Sequence, residues 1–347
     1  MTPKKRAQRR MLVIAADSLL LAATLLTFAD FHHVRISPMA PVTLSPQLPS
    51  ATPASVQATP ATPIPDPAAT VTATETPVPT PTIDPTDLLR GQYADRFTDG
   101  EILETEDSYR SDTVSVTIHR VEKDAVTYYV ADIYVKYIES FRAGLALEHS
   151  NRWMAARDIA EANDAIIAIS GDFYGFRKTG TVAVRNGQEW IKKLPPENDL
   201  LVMYYDGRME TISAEEADVD AIYAEGPYQI WCFGPELLRD GRAITEFTSR
   251  IRGRNPRSAV GYFEPGHYCF MLVDGRQRGY SVGMTLGELA QAFEDLGCAC
   301  AYNLDGGDTA VMVYQDEIYS RPDDDLRDVS DILYIREPAA RSEGAGQ

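Results

Sequence analysis

The sequence predicts an α+β fold, a mixed β-sheet with packed helices in a single domain. Three observations predict it. Short β-prone runs recur around tight-turn residues, at 113–121 and 127–137 around Glu-Lys-Asp and at 200–205 and 209–212 around Asp206-Gly207-Arg208. Apolar residues at three- and four-residue spacing mark helices at 153–165 and 286–296. A strand at 269–273, the second helix and an apolar strand beginning at Cys298 follow in the order of a strand–helix–strand unit.

At the amino terminus, residues 1–10 form a basic segment with Lys4, Lys5, Arg6, Arg9 and Arg10, and an apolar run fills 11–29. Positive charge before an apolar run orients it with its amino terminus in the cytoplasm. About 20 helical residues cross a bilayer, so 11–29 is expected to be a signal anchor, or a signal peptide if cleaved. No Ala-x-Ala cleavage sequence follows at once, which favours the anchor. Residues 30–89, rich in Pro, Thr and Ala, lack the apolar content to offset the entropy of ordering and are expected to be a disordered linker. Residues 90–337 make the folded domain, followed by a flexible tail at 338–347. The expected chain is single-pass and membrane-anchored with its domain extracytoplasmic, or secreted if 11–29 is removed.

The formal net charge of −18 argues against nucleic acid, which requires a contiguous basic surface. The four cysteines, Cys232, Cys269, Cys298 and Cys300, lack the paired spacing of a structural zinc site and are expected to be buried thiols.

Along the domain, the helix at 153–165, with Ser150 or Asn151 as its cap, feeds the apolar strand that ends in Ser170-Gly171-Asp172. The Asp172 carboxylate can bind a cation, orient water or exchange a proton; a strand-end turn accounts for the same residues. Arg185-Asn186-Gly187 is a turn, 214–219 a short helix, and Glu225 is either a candidate carboxylate or part of a solvated turn. The arginine-rich loop 250–257 ends in Arg257 beside a strand, where a guanidinium can clamp a phosphate or pair with an acidic neighbour. Asp274 stands where a strand meets a loop, and His267 at a turn reads as structural. Thr285 and Glu288 form a capping box for the second helix, and Gly297 closes it. Last comes Asn303-Leu304-Asp305-Gly306-Gly307-Asp308-Thr309 between two apolar runs, either a tight hairpin or a concentration of ligand-binding groups.

Five stretches, in order, bear a resemblance: A-I-I-A-I-S-G-D-F-Y-G at 165–175, N-P-R-S-A-V-G at 255–261, V-D-G-R at 273–276, the G-M-T-L-G-E-L-A core within 279–290, and N-L-D-G-G-D-T-A-V-M at 303–312. Together they resemble the phosphodiester glycosidase domain family, across roughly 110–337. The resemblance implies hydrolysis of a sugar-phosphate phosphodiester at the glycosidic bond, in cell-envelope or exopolysaccharide glycan metabolism. A non-catalytic glycan-phosphate-binding module and a glycosyl-phosphate transferase are the other outcomes. It implies catalytic roles for Asp305, Asp172 and Asp274. It further implies substrate or phosphate contacts from Arg257, Arg327, Asn303, Gly306, Gly307, Thr309 and Ser170, with the glycine N–H groups facing a phosphate. The family usually has asparagine at the position of Ser170, and glycine, serine or glutamine at that of Asp308. The added carboxylate of Asp308 either disfavours a phosphate or joins Asp305 in holding a divalent cation, calcium or magnesium. The expected partners are a glycan or sugar-phosphate substrate and the membrane through 11–29, with no nucleic acid.

Overall fold

The computed structural model describes residues 84, 86–146, 153–173 and 180–339. The expected basic segment, the 11–29 anchor and nearly all of the linker lie outside the described residues, as do the cap candidates Ser150 and Asn151. No helix among the described residues is long and apolar enough to cross a membrane. The fold takes in the last linker residues, because Leu89 is buried and the Leu88 N–H donates to the Lys136 carbonyl at 2.7 Å.

Packed helices do not dominate the fold as the sequence pattern suggests. It is mostly antiparallel sheet with few helices. A seven-stranded sheet runs in the order Leu103–Glu104, Ser108–Arg110, Val114–Lys123, Val126–Val135, His267–Val273, Arg257–Glu264, Cys300–Asn303. One five-stranded sheet orders Glu317–Ile318, Met312–Tyr314, Ile167–Ser170, Asp331–Ile335, Phe141–Leu145; the other orders Met209–Ile212, Leu200–Tyr204, Pro227–Trp231, Val182–Arg185, Gln188–Lys192.

Local chemistry explains the pairing. The Val114–Lys123 and Val126–Val135 strands pair without a break from Val114↔Val135 to Lys123↔Val126. Their turn is Asp124-Ala125, both at positive φ, the two-residue geometry whose twist matches that of a hairpin. Alternation then divides the side chains. Ile167 and Ile169 enter a core shared by the three larger sheets, with Trp231, Val260, Phe270, Tyr302 and Leu333, whereas Ala168 is buried on the opposite face with Ile159 and Ala160.

Each outer face takes one helix. Leu286–Leu296, with the expected capping box and Gly297 at φ 82°, covers the seven-stranded sheet through Leu289, Ala290 and Phe293. It links two strands that flank and pair with Arg257–Glu264, so the strand–helix–strand unit crosses over a strand antiparallel to both. The first helix is Ala156–Glu161, shorter than its periodicity, because Met154 is drawn into a bridge with Val329. The helix expected at 214–219 instead spans Val219–Glu225; Asp218 caps it by accepting from the Ala221 N–H, and Gly226 at φ 76° ends it.

The four cysteines are buried, as expected. The Cys269 and Cys298 sulfurs lie 3.8 Å apart, over Gly261, where a Cβ would come within 2.8 Å of each. His267 stacks between Tyr134 and Phe263 and bonds Asp132 at 2.8 Å.

Candidate active site

Ends of strands from the three larger sheets converge on a cluster of acidic side chains. Asp172 follows Ile167–Ser170, Asp305 follows Cys300–Asn303, Asp331 opens Asp331–Ile335, and Arg185 closes Val182–Arg185. Val182 and Val184 point into the core beneath the outer helix, so strand alternation turns Arg185 to the opposite face.

Arg185 is fully buried and joins two carboxylates. Its Nε donates to Asp331 Oδ2 at 2.7 Å and its Nη2 to Asp172 Oδ2 at 3.2 Å. Nη1 donates to the Val184 and Ile230 carbonyls, and the guanidinium lies 5.4 Å from the Trp231 ring centroid. Asp172 is nearly inaccessible, and backbone N–H groups reach both its oxygens, Phe173 at 2.9 Å and Cys232 at 2.7 Å. Asp331 Oδ1 accepts from the Asp172 N–H at 2.6 Å. Gly171 makes this approach possible, since a Cβ there would stand 2.3 Å from Asp331 Oδ1.

Main-chain bonds tie Asp305 to the same place. Its N–H donates to the Gly171 carbonyl at 2.8 Å, and its carbonyl accepts from Ser170 Oγ at 3.0 Å. Ser258 Oγ donates to the Ser170 carbonyl at 2.7 Å, adding the seven-stranded sheet to the junction. Of the three aspartates, only Asp305 is partly exposed. Burial pushes it up to about 7, opposed by the Thr309 hydroxyl and the charge of Arg327 and assisted by Asp172 and Asp331. Burial likewise pushes Asp331 up to about 6, opposed by Arg185 and assisted by Asp172. Asp172 and Asp331 are held together by the Arg185 guanidinium, and Asp305, its carboxyl raised by burial, is left as the proton-exchanging group at the partly exposed position.

The phosphodiester glycosidase family model matches residues 163–336, half of the chain, and takes in every residue of this cluster. The chain belongs to the phosphodiester glycosidase family. Among solved structures, the catalytic domain of zebrafish N-acetylglucosamine-1-phosphodiester alpha-N-acetylglucosaminidase, auto-inhibited by its pro-peptide, is similar at TM-score 0.53 and 20% identity; the match covers 70% of this chain and 86% of that one. A hypothetical protein from Synechocystis is similar at TM-score 0.50 and 15% identity, over 65% of this chain and 63% of that one. These likenesses show the fold. A curated relative, the SPbeta prophage-derived uncharacterized protein YomE of Bacillus subtilis (strain 168), is 28% identical over 141 residues, which is 40% of this chain. The match spans only 22% of that relative's length.

Within this phosphodiester glycosidase domain the expected residues divide. Asp172, Asp305, Ser170 and Thr309 meet at the cluster, and Arg327 acts on Asp305 through its charge. Asn303 is buried behind it, with Nδ2 donating to the Gly234 carbonyl at 2.9 Å and Oδ1 without a hydrogen-bond partner. Asp274 has different partners, accepting from Tyr280 Oη at 2.8 Å and from the Arg321 N–H at 3.1 Å, and burial pushes its carboxyl up.

Arg257 departs most from expectation. Its guanidinium donates to the carbonyls of Met284 (3.0 Å), Ile251 (2.7 Å) and Gly253, so it anchors the 251–253 loop and is not placed as a phosphate clamp. Gly307 departs similarly, because its N–H donates to the Pro256 carbonyl at 2.9 Å and is not turned to a ligand. Gly306 serves close approach: a Cβ there would meet the Pro256 oxygen at 2.7 Å. The two oxygens of Asp308 hold Arg276 and Arg327, so the cation site expected from Asp305 and Asp308 has its second ligand already engaged. Among the described residues, no three His, Cys, Asp or Glu side chains gather where a metal ion would bind.

Proposed function

We propose that this chain hydrolyses a sugar-phosphate phosphodiester at its glycosidic bond, with Asp305 as the proton-accepting group. The observation that carries the proposal is the meeting of Asp305, Asp172 and Asp331 at strand ends inside the matched family region, with Asp305 the partly exposed member and its carboxyl raised by burial to about 7. A base poised near neutrality both exists in its ionised form and takes a proton effectively. Asp305 removes a proton from water as the water oxygen bonds the anomeric carbon. The glycosidic C–O bond breaks with its electron pair going to the phosphate ester, which leaves as a phosphomonoester. That leaving group spreads its charge over several oxygens and needs little protonation, while Arg327 faces the charge that develops. The bound carboxylates of Asp172 and Asp331 add negative potential beside a sugar that becomes positive in the transition state.

The segment at 11–29 and the linker at 30–89 would hold this domain outside the membrane, where envelope or exopolysaccharide glycans carry such linkages. The test is release of free sugar from a panel of sugar phosphodiesters, N-acetylglucosamine phosphodiesters among them, by the full chain in mild detergent, with and without calcium or magnesium. Release that disappears in Asp305→Asn supports the proposal. Binding without release across the panel overturns it in favour of a glycan-phosphate-binding module, and products formed only when an acceptor is added overturn it in favour of a transferase.

A further inference from the structure

The turn that carries Asp305 also carries a pairing of which the hydrolytic step uses only Arg327. Asp308 is gripped from two sides: Arg276 Nη1 donates to Oδ1, and Arg327 Nε donates to Oδ2 at 3.1 Å. The fold builds this grip with some care. Arg276 Nη2 is held by Asn255 Oδ1 at 3.1 Å, and the Arg327 N–H donates to the Asp308 carbonyl at 2.7 Å. Gly307, at φ 63°, gives the guanidinium room, since a Cβ there would lie 2.9 Å from Arg276 Nη2. Asp323 adds a longer contact to Arg276 at 3.6 Å.

Exposed ion pairs add little to stability, and this one is well exposed, with 42% of the Arg276 side chain and 55% of that of Arg327 open to solvent. Two guanidiniums converging on one oxyanion is also the geometry that recognises phosphate, which offers the same acceptor oxygens as a carboxylate. The pair stands beside the reacting group, since both guanidiniums hold Asp308, three residues from Asp305 on the same turn.

We infer that Arg276 and Arg327 form the seat for the substrate's phosphate and that Asp308 is a tethered carboxylate that occupies this seat until a phosphate displaces it. The inference rests on the phosphodiester reading of the adjoining site. A tethered competitor raises the concentration of substrate needed to fill the seat. It also returns when the phosphomonoester is formed, opposing retention of a product that carries more charge than the diester. Asp308 is thereby a specificity-determining residue, acting on KM and on product release and taking no part in bond breaking.

The experiment titrates the full chain, in mild detergent and low salt, with inorganic phosphate and reads binding by calorimetry. Asp308→Asn, with Asp308→Ser as a second variant, is expected to bind phosphate at least tenfold more tightly than the parent. Adding Arg276→Gln or Arg327→Gln to either variant is expected to remove the gain. Equal phosphate binding in parent and both folded variants overturns the inference, as does a gain that survives loss of both arginines. Thermal melts establish that each variant is folded. Phosphate titration needs no turnover, so failure here is distinct from failure of the hydrolytic reading, which the sugar-release assay alone decides.

Discussion

Arg185 and Asp331, far apart in sequence, form a fully buried ion pair, Nε to Oδ2 at 2.7 Å, and the same guanidinium holds Asp172. A buried pair costs much in desolvation, and removing one partner leaves the other charge uncompensated. Arg185→Met is therefore expected to destabilise the domain by about 3–5 kcal/mol. Urea unfolding against the parent checks this, and a loss below about 1 kcal/mol would mean the charge is met by other groups.

The raised carboxyls fix the sign of a pH dependence. Asp305 at about 7 and Asp331 at about 6 lie above the ordinary carboxylate value of about 3.9, so between these values the folded state binds more protons than the unfolded state. Their contribution to stability is fully present below about pH 4 and is lost as pH rises through about 6 to 7. Asp305→Asn should flatten this decline, seen as a difference in unfolding free energy between variant and parent that grows from pH 4 to 7.

Activity should run the other way. The base form of Asp305 accumulates as pH rises through about 7, so kcat/KM is expected to climb with that apparent value. Asp305→Asn should lower kcat by roughly 10²–10⁴-fold. A profile that falls through neutrality would reverse the role of Asp305 to that of an acid.

Gly171→Ala tests the close approach beneath the site. The added methyl would stand 2.3 Å from Asp331 Oδ1, which accepts from the Asp172 N–H while Oδ2 is held by Arg185, so neither side can give way cheaply. Overpacking of this kind costs about 1–3 kcal/mol, measurable by denaturant unfolding. Because Asp331 would have to move, the pH profile of the remaining activity should shift as well.

Arg257→Met separates a structural arginine from a ligand-binding one. Loss of its donors to the Ile251, Gly253 and Met284 carbonyls should cost about 1–3 kcal/mol. Phosphate affinity should stay at the parent value in the calorimetric titration, since this guanidinium is turned to the loop.

Sequence made part of this site legible and hid the rest for physical reasons. Asp172 and Asp305 stood out because each is a carboxylate beside glycine at the end of an apolar run, where a side chain has room to meet a ligand. Arg185 was hidden by its own neighbours. Asn186 and Gly187 do form the turn they suggest, at φ 53° and 77°, yet the preceding residue faces inward. The available signal was alternation, because Val182 and Val184 claim one face and leave Arg185 on the other. Asp331 gave a similar signal as a charge opening the otherwise apolar Asp331–Ile335 strand, but its partner lies 146 residues away. Sequence alone does not separate the possible roles of Arg257, because carbonyl oxygens and phosphate oxygens ask for the same donor. The helices were overvalued because periodicity carries no knowledge of tertiary pairing, as the Met154–Val329 bridge demonstrates.

The bonds joining the two aspartate turns have a stereochemical meaning. Asp305 donates its N–H to the Gly171 carbonyl and accepts from Ser170 through its own carbonyl, while the Gly171 and Asp172 N–H groups both end on Asp331. The turns are thus stitched through main chain, and the spacing of their carboxyls is a property of the backbone more than of rotamers. In glycoside hydrolysis that spacing chooses between keeping and inverting the configuration of the anomeric carbon. On the proposed hydrolysis, the handedness of the product would follow strand register more than the choice of surrounding side chains.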